Sequence, residues 1–241
     1  NATIIGEKSG EFKADRNNIP RTWSDHGAWP VFVTDFYLNQ TGDYTLLLEY
    51  VPYWKDQHIF RSQQQDQLWE RKQGNQQLDS NNKIVLGSVF EHLLLQQLSA
   101  FYHVGQHNIV KLEGADWNDT YDMARENGGS VCFYNFYANN FLVLSAILKE
   151  LKKNGSTHIT LLEEVTMLLD NLPGQQKVDY QSPEVKRAHL KNYFESVEHT
   201  VSGKKTSLLI DDIVADLEAK SLHISNHTLE NEIVTTNEGD R

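Results

Sequence analysis

Apolar side chains recur at steps of three and four residues through several long stretches, the spacing that places them on one face of an α-helix. Residues 83–103 show it most clearly. Residues 130–153 are apolar around most of the helical circumference, which is typical of a helix at the centre of a fold. Ser130 is suited to cap the start of that second helix, and Asn154-Gly155 is suited to end it.

Further helical patterns precede and follow this pair. The first has a broad apolar face, and a proline that suits an early helical turn. No segment alternates apolar and polar residues over more than a few positions, so the chain is predicted to be all-α, arranged as a helix-hairpin array. The additional predicted helices are residues 25–39, 44–49, 157–171, 183–200 and 207–226.

Residues 55–82 differ from the rest because glutamine and asparagine dominate them. Such a stretch cannot bury enough apolar surface to form a core by itself. We therefore expect residues 1–241 to form a single helical domain in which residues 55–82 are a polar excursion.

Composition and charge argue against some classes of function. The 241 residues are 39% hydrophobic and 23% charged, which fits a globular chain. The net charge of −11 argues against a nucleic-acid partner, because phosphate backbones require a basic face. Apolar runs fall short of a membrane span and no signal peptide is visible, so we expect a cytoplasmic protein without a membrane partner. Cys132 lies in an apolar run, where a buried, inert thiol is expected.

A polar loop between the two central helices carries the candidate chemistry. Residues 116–122 contain three carboxylates, an asparagine and a tryptophan. One interpretation is a turn, because Asp and Asn side chains bond their own backbone. The other is a sugar site, in which the Trp117 ring packs on a pyranose and a carboxylic acid protonates a glycosidic oxygen. Residue types alone leave both interpretations open.

A metal site is not predicted. His103 and His107 are four residues apart, but the second falls beyond the expected helix end, and no spacing suggests a third ligand.

The loop also resembles a known family. Residues 114–119, Gly-Ala-Asp-Trp-Asn-Asp, are similar to the Gly-Asp-Trp-Asn-Asp signature of the inverting phosphorylases of glycoside hydrolase family 94. Residues 23–30, 41–53 and 129–131 resemble, in the same order, that family's Asp-Asp-x-x-Trp-Leu, Thr-Gly-Asp to Val-Pro-Tyr, and Gly-Glu-Ser-Val stretches. Four ordered motifs make this resemblance more specific than any of them alone.

The resemblance implies a fold and a reaction. The family's catalytic domain is an (α/α)₆ barrel, of which this chain would supply part. The reaction would join phosphate to a β-linked gluco-oligosaccharide and give an α-sugar 1-phosphate with inversion, using phosphate as co-substrate and no other cofactor. Asp119 matches the general acid, and Trp117 and Asp116 match the substrate-binding loop, where Asp116 is expected mainly to hold the loop by hydrogen bonds. Asp122 is a competing acid that the match does not favour.

Two features of the family pattern have no counterpart in this sequence: an upstream arginine–aspartate motif for the donor sugar and downstream phosphate ligands. We therefore expect the isolated chain to be inactive. The alternative function is a non-catalytic helical domain that serves interaction or structure. A homodimer is one assembly open to the full-length protein.

Overall fold

The computed structural model describes residues 25, 27–53, 76–112, 127–197, 200–237 and 239–240. Most of the regular structure in these ranges is helical. The helices are α1 (Trp29–Thr41), α2 (Val89–Tyr102), α3 (Val131–Lys153), α4 (Glu163–Thr166), α5 (Pro183–Val197) and α6 (Ile210–Asn231), with a 3₁₀ helix at Tyr44–Leu48. The strands are β1 (Tyr50–Pro52), β2 (Leu86–Ser88), β3 (His158–Leu162), β4 (Lys205–Leu209), β5 (Thr235–Thr236) and β6 (Gly239–Asp240).

Helices α3 and α6 form an antiparallel pair at the centre. Asn135 near the start of α3 donates to the hydroxyl of Thr228 near the end of α6, at 3.1 Å. At the opposite end, Lys152 of α3 forms an ion pair with Asp211 of α6. Their facing stripes are fully or almost fully buried, as expected of core helices: Phe141, Leu144, Leu148, Ile213, Leu217 and Ile224.

Helix α2 packs against α3. The rings of Phe101 and Phe141 meet edge to face, with 6.0 Å between centroids. Buried Asn140 donates to the side-chain oxygen of Gln97 at 3.0 Å, so the polar groups in this contact bond each other. The observed α2 begins six residues later than predicted, because Leu86–Ser88 is a strand and Ser88 caps the helix by accepting from the Glu91 amide.

Several other predicted ends are confirmed. Ser130 caps α3, its hydroxyl accepting from the Phe133 amide at 3.2 Å, and α3 ends at Lys153. Gly42 ends α1 in the left-handed region (φ 68°) that favours glycine. The predicted start of α1 at residue 25 is wrong, because the helix begins at Trp29.

The all-α prediction is correct for the helices, which make up most of the regular structure, but it misses short pairs of antiparallel strands. Residues 157–171 were expected to be one helix. Instead His158–Leu162 pairs with Lys205–Leu209, in a register that runs from His158 opposite Leu209 to Leu162 opposite Lys205. The helix predicted at 207–226 correspondingly begins at Ile210 and runs on to Asn231. The (α/α)₆ barrel stays a prediction.

The polar excursion lies largely outside the described residues, which resume at Gln76. Its final part, residues 76–82, is paired: Leu78 forms a bridge to Ile84, and Asp79 forms one to Val201. The Asp79 carboxylate accepts from the amides of Asn81 and Lys83 and so fixes the turn.

The expectation that Cys132 is buried is wrong, because the structure places this residue of α3 in an exposed position. The aromatic side of α1 is also open to solvent: Trp29 is 44%, Phe32 47% and Phe36 62% exposed. Their rings cluster with Phe136 of α3, whose centroid is 5.3 Å from Trp29.

In length and composition, α3 also suits a membrane span, contrary to what the apolar runs suggested. Half of the apolar stretch that would suit a membrane span is buried inside the protein, and the core helices of soluble proteins have the same length and composition. Its contacts with α2 and α6 account for its apolar character.

Candidate functional site

The residues that the sequence assigns to chemistry, Asp116, Trp117, Asp119 and the competing Asp122, lie outside the described residues. The structure does describe both flanks of their loop, residues 103–112 and 127–131. These flanking segments hold the two ends of that loop.

The two ends of the loop pair with each other. Lys111 and Gly129 form an antiparallel bridge, and Val104 pairs with Val110 on the other side. The Leu112 amide donates to the Gly128 carbonyl at 3.1 Å, and the Ser130 amide donates to the Val110 carbonyl at 3.2 Å. Three short segments thus lie side by side, with the one at residues 110–112 in the middle. The loop that carries Asp119 starts and ends at neighbouring positions.

This paired base sits where α2 ends and α3 begins. His103 follows the last residue of α2, its amide bonding the carbonyls of Ser99 and Ala100, and Ser130 caps α3. Because α2 and α3 pack against each other, both flanks of the loop lie at one end of this helix pair.

Gly129 permits the close approach of the segments. A Cβ built on it would lie 2.4 Å from Cγ1 of Ile109 and 2.9 Å from the Val110 carbonyl oxygen. No side chain fits there without displacing backbone. The sequence feature Gly128-Gly129-Ser130 therefore serves packing at the loop base.

The turn at residues 105–109 is held from the C-terminal part of the chain. The Asn108 side-chain amide donates to the Tyr180 carbonyl at 2.8 Å. Arg187 of α5 donates to the carbonyls of Val104 and Gly105 at 3.3 and 3.4 Å. His227 of α6 bonds the His107 carbonyl through Nε2 at 2.7 Å. We call Asn108, Arg187 and His227 the turn clamp.

A buried ion cluster lies behind the clamp. The Lys220 ammonium donates to Asp170 Oδ1 and to both oxygens of Asp216, each at 2.7 Å, and all three side chains are at most 1% exposed. Asp170 also accepts from the Tyr102 and Tyr180 hydroxyls, at 2.7 and 2.6 Å. Each charged group has several partners, which is the condition for keeping ions in a low-dielectric interior.

The cluster keeps Asp170 ionised. Burial opposes its charge, but the Lys220 ammonium and hydrogen bonds from Lys220, Tyr180 and the Val178 amide outweigh it and lower the pKa of Asp170 to about 2. The pKa values of the Tyr102 and Tyr180 hydroxyls are raised, first by burial and then by nearby negative charge. Both tyrosines therefore stay protonated donors.

A second buried amine and a histidine adjoin the cluster. Lys186 of α5 is fully buried over the Phe101 ring, 4.2 Å from its centroid, and the pKa of its amine is lowered by burial and by Lys220. His223 of α6 has a pKa lowered to about 3, mainly by burial and then by Lys186 and His227. The His223 Nε2 atom is buried and has no hydrogen-bond partner among the residues that the structure describes.

The two histidines with helical spacing, His103 and His107, lie in different surroundings. His103 is buried, whereas the His107 side chain is 73% exposed beside Glu232. Within the described ranges, no group of three or more His, Cys, Asp or Glu side chains has the geometry to hold a metal ion.

The other stretches of the family resemblance have structural roles where they are described. Trp29 donates its indole N–H to Asp25 at 2.7 Å, which fixes the start of α1. Asp43 accepts from the amide and hydroxyl of Thr45 and so caps the 3₁₀ helix. Tyr53 donates to Glu91 of α2 at 2.6 Å and stacks on His92.

Sequence reasoning missed the turn clamp and the ion cluster. Their members come from five separate segments, and the only local signal is the four-residue spacing of Asp216 and Lys220, which is also common on exposed helix faces. Asp170 and Tyr180 follow no helical period, so their burial could not be read from the sequence.

No protein-family model matches the chain. A curated protein, the solabiose phosphorylase of Paenibacillus borealis, is 29% identical over 101 residues, which is 42% of this chain and 10% of that protein. The match thus spans about a tenth of the relative's length. It is distant and partial, and it indicates a phosphorylase-like origin.

Proposed function

We propose that this chain is part of an inverting phosphorylase of β-linked gluco-oligosaccharides, with Asp119 as its general acid. The observation that carries the proposal is the match to a phosphorylase over 101 residues. The resemblance of residues 114–119 to a phosphorylase signature points to the same chemistry.

The reaction needs one protein acid. Asp119 would protonate the glycosidic oxygen as the bond to the anomeric carbon breaks, and phosphate would attack that carbon from the opposite face. The products are an α-sugar 1-phosphate and the shortened acceptor. Because phosphate is itself the nucleophile, neither a second carboxylate to activate water nor a cofactor is required.

The paired loop base supports this role physically. An acid catalyst must be held within hydrogen-bond reach of one oxygen, and a loop whose ends are far apart would hold it poorly. Lys111 and Gly129 join the ends, and α2 and α3 anchor them in the core. Trp117 would pack on the donor sugar and Asp116 would hold the loop by hydrogen bonds. A cytoplasmic location belongs to the same proposal.

A non-catalytic role is the second candidate, and one observation favours it. Trp29, Phe32 and Phe36 form an exposed aromatic face, and exposed apolar patches of this kind mark contacts with other protein surfaces. Further helices of a larger catalytic domain would cover such a face equally well, as would a homodimer contact, so the face does not argue against catalysis.

The test is phosphate-dependent cleavage. This chain, and any longer polypeptide that contains it, would be incubated with phosphate and cellobiose or a β-1,2-glucan, and sugar 1-phosphate would be followed by ³¹P NMR. We expect the α-anomer to form in an active polypeptide and to be lost in Asp119→Asn. Asp122→Asn is the matched control, because it removes a carboxylate three residues away. Active wild type with an equally active Asp119→Asn would exclude the assignment of the acid.

A further inference from the structure

Three side chains from three different segments connect the loop base to the C-terminal part of the chain. Asn108 belongs to the turn itself, Arg187 to α5 and His227 to α6. Between them they bond four backbone carbonyls, those of Val104, Gly105, His107 and Tyr180. Such side-chain bonds to backbone fix a turn's position more firmly than apolar contact, because they are directional.

The groups that form the turn clamp are themselves held in place by further hydrogen bonds. Tyr180, whose carbonyl accepts from Asn108, donates its hydroxyl to Asp170 and also accepts from Lys220 at 3.1 Å. The Val178 amide donates to the other oxygen of Asp170 at 2.9 Å. The segment 178–180 is therefore tied to the buried ion cluster. The Nδ1 atom of His227 lies 3.3 Å from the Asn231 amide, which fixes its ring.

The turn at residues 105–109 sets the position of the loop base. Residues 105–109 connect the segment at His103–Val104 to the one at Val110–Leu112, and the second of these pairs with Gly128–Ser130. A rotation of the turn would therefore move both flanks of the loop together. Asn108 has φ 59°, in the left-handed region, so the turn has a defined and sparsely populated backbone conformation.

We propose that Asn108, Arg187 and His227 are positioning residues: they hold the turn, and through it the base of the Asp119 loop, in register with α2 and α3. The part of this proposal that concerns catalysis rests on the proposed phosphorylase function. The part that concerns the register of the loop base does not. Helices α5 and α6 then support the site by holding the turn, without contacting substrate.

Hydrogen exchange tests the register directly. The reporters are the amides of Lys111, Leu112 and Ser130, which bond the carbonyls of His103, Gly128 and Val110. Asn108→Gly keeps the left-handed backbone accessible and removes the side chain that donates to Tyr180, and His227→Leu removes the bond to His107. We expect exchange at the three reporters to accelerate roughly three- to tenfold, the effect of losing one net hydrogen bond. His227→Gln, which retains a donor, should restore much of the protection.

Ser221→Ala is the matched control. Ser221 lies on the same helix as His227 and donates to the Ala138 carbonyl of α3 at 2.9 Å, away from the turn. Faster exchange at the reporters in the clamp variants but not in the control supports the proposal. Equal acceleration in control and clamp variants, or unchanged reporters, overturns it, because the side chains would then contribute general stability alone.

Kinetics tests the catalytic part in an active polypeptide that contains this chain. Asn108→Gly and His227→Leu should lower kcat on the order of tenfold with KM changed less than threefold, because the acid is displaced and the sugar contacts remain. Unchanged kcat overturns the positioning role while the proposed function stands. Absence of turnover in every wild-type polypeptide that contains this chain, the longer ones included, contradicts the proposed function instead, and the exchange measurement still decides the register.

Discussion

Gly129 lies so close to Ile109 that an added Cβ would stand 2.4 Å from Cγ1 of the isoleucine. The Val110 carbonyl oxygen, at 2.9 Å from the same position, is backbone and cannot move aside cheaply. The two ends of the Asp119 loop are therefore joined at a spacing that only glycine allows.

Gly129→Ala should destabilise the protein by about 1–3 kcal/mol, the usual cost of overpacking. Urea unfolding followed by circular dichroism measures it as a lower midpoint with an unchanged m value. Gly27→Ala is the control, since its Cβ would meet the Tyr137 hydroxyl at the tip of a side chain. A cost at Gly129 no larger than at Gly27 would show that the loop base is looser than the structure implies.

Lys220→Met should be among the most damaging single changes in the chain. It leaves the carboxylates of Asp170 and Asp216 buried without their cation, and breaking a buried pair in this way costs about 3–5 kcal/mol. Asp170→Asn combined with Lys220→Met should recover part of the loss, because one uncompensated charge is removed. Additive losses in the double variant would contradict the pairing.

The pH dependence of stability on the acidic side should be weaker without Lys220. In the wild type the folded pKa of Asp170, about 2, lies below the unfolded value, so its stabilisation is present above pH 4 and is lost as pH falls toward 2. In Lys220→Met the ammonium is gone, while burial still raises the pKa of Asp170 and the hydrogen bonds from Tyr180 and the Val178 amide still lower it, so that pKa should be higher than in wild type. The variant should therefore lose less stability than wild type as pH falls from 7 toward 2. Parallel stability curves for the two proteins would contradict this account.

His223 should lower the stability of the folded protein at acidic pH. Its folded pKa of about 3 lies below the unfolded value near 6.5, so the unfolded chain binds the proton first and stability falls as pH drops below about 6.5. His223→Phe keeps an aromatic ring and removes the titration. Between pH 7 and pH 4 it should lose less stability than wild type, by up to about 3 kcal/mol. Equal losses, measured by urea unfolding at both pH values, would contradict it.

The sequence predicted helices well where the apolar period is long. Residues 131–153 form the expected central helix, with the expected cap at Ser130. Residues 158–162 were misassigned because five residues are too few to show a period, and their strand state depends on pairing with Lys205–Leu209, more than forty residues away. Periodicity also found the aromatic face of α1 but could not say whether another surface covers it.

A motif in the sequence allowed a prediction of the site's chemistry, whereas the residues that support the site could not be predicted. Asp116, Trp117 and Asp119 are adjacent in sequence, so a motif could identify them, and they stay predictions because the structure describes only their flanks. The turn clamp joins residues as far apart as His107 and His227. Hydrogen bonds between segments this distant leave no local pattern in the sequence, and only the fold brings them together.

The most direct test of the central claim compares Asp119→Asn with Trp117→Ala on substrates with poor and good leaving groups, in an active polypeptide that contains this chain. If Asp119 protonates the leaving oxygen, Asp119→Asn should lower kcat about a hundredfold or more on a natural β-glucan and far less on an activated aryl glucoside. Trp117→Ala should weaken binding of both substrates alike. Near-normal Asp119→Asn turnover of the natural substrate, together with an inactive Asp122→Asn, would contradict the assignment.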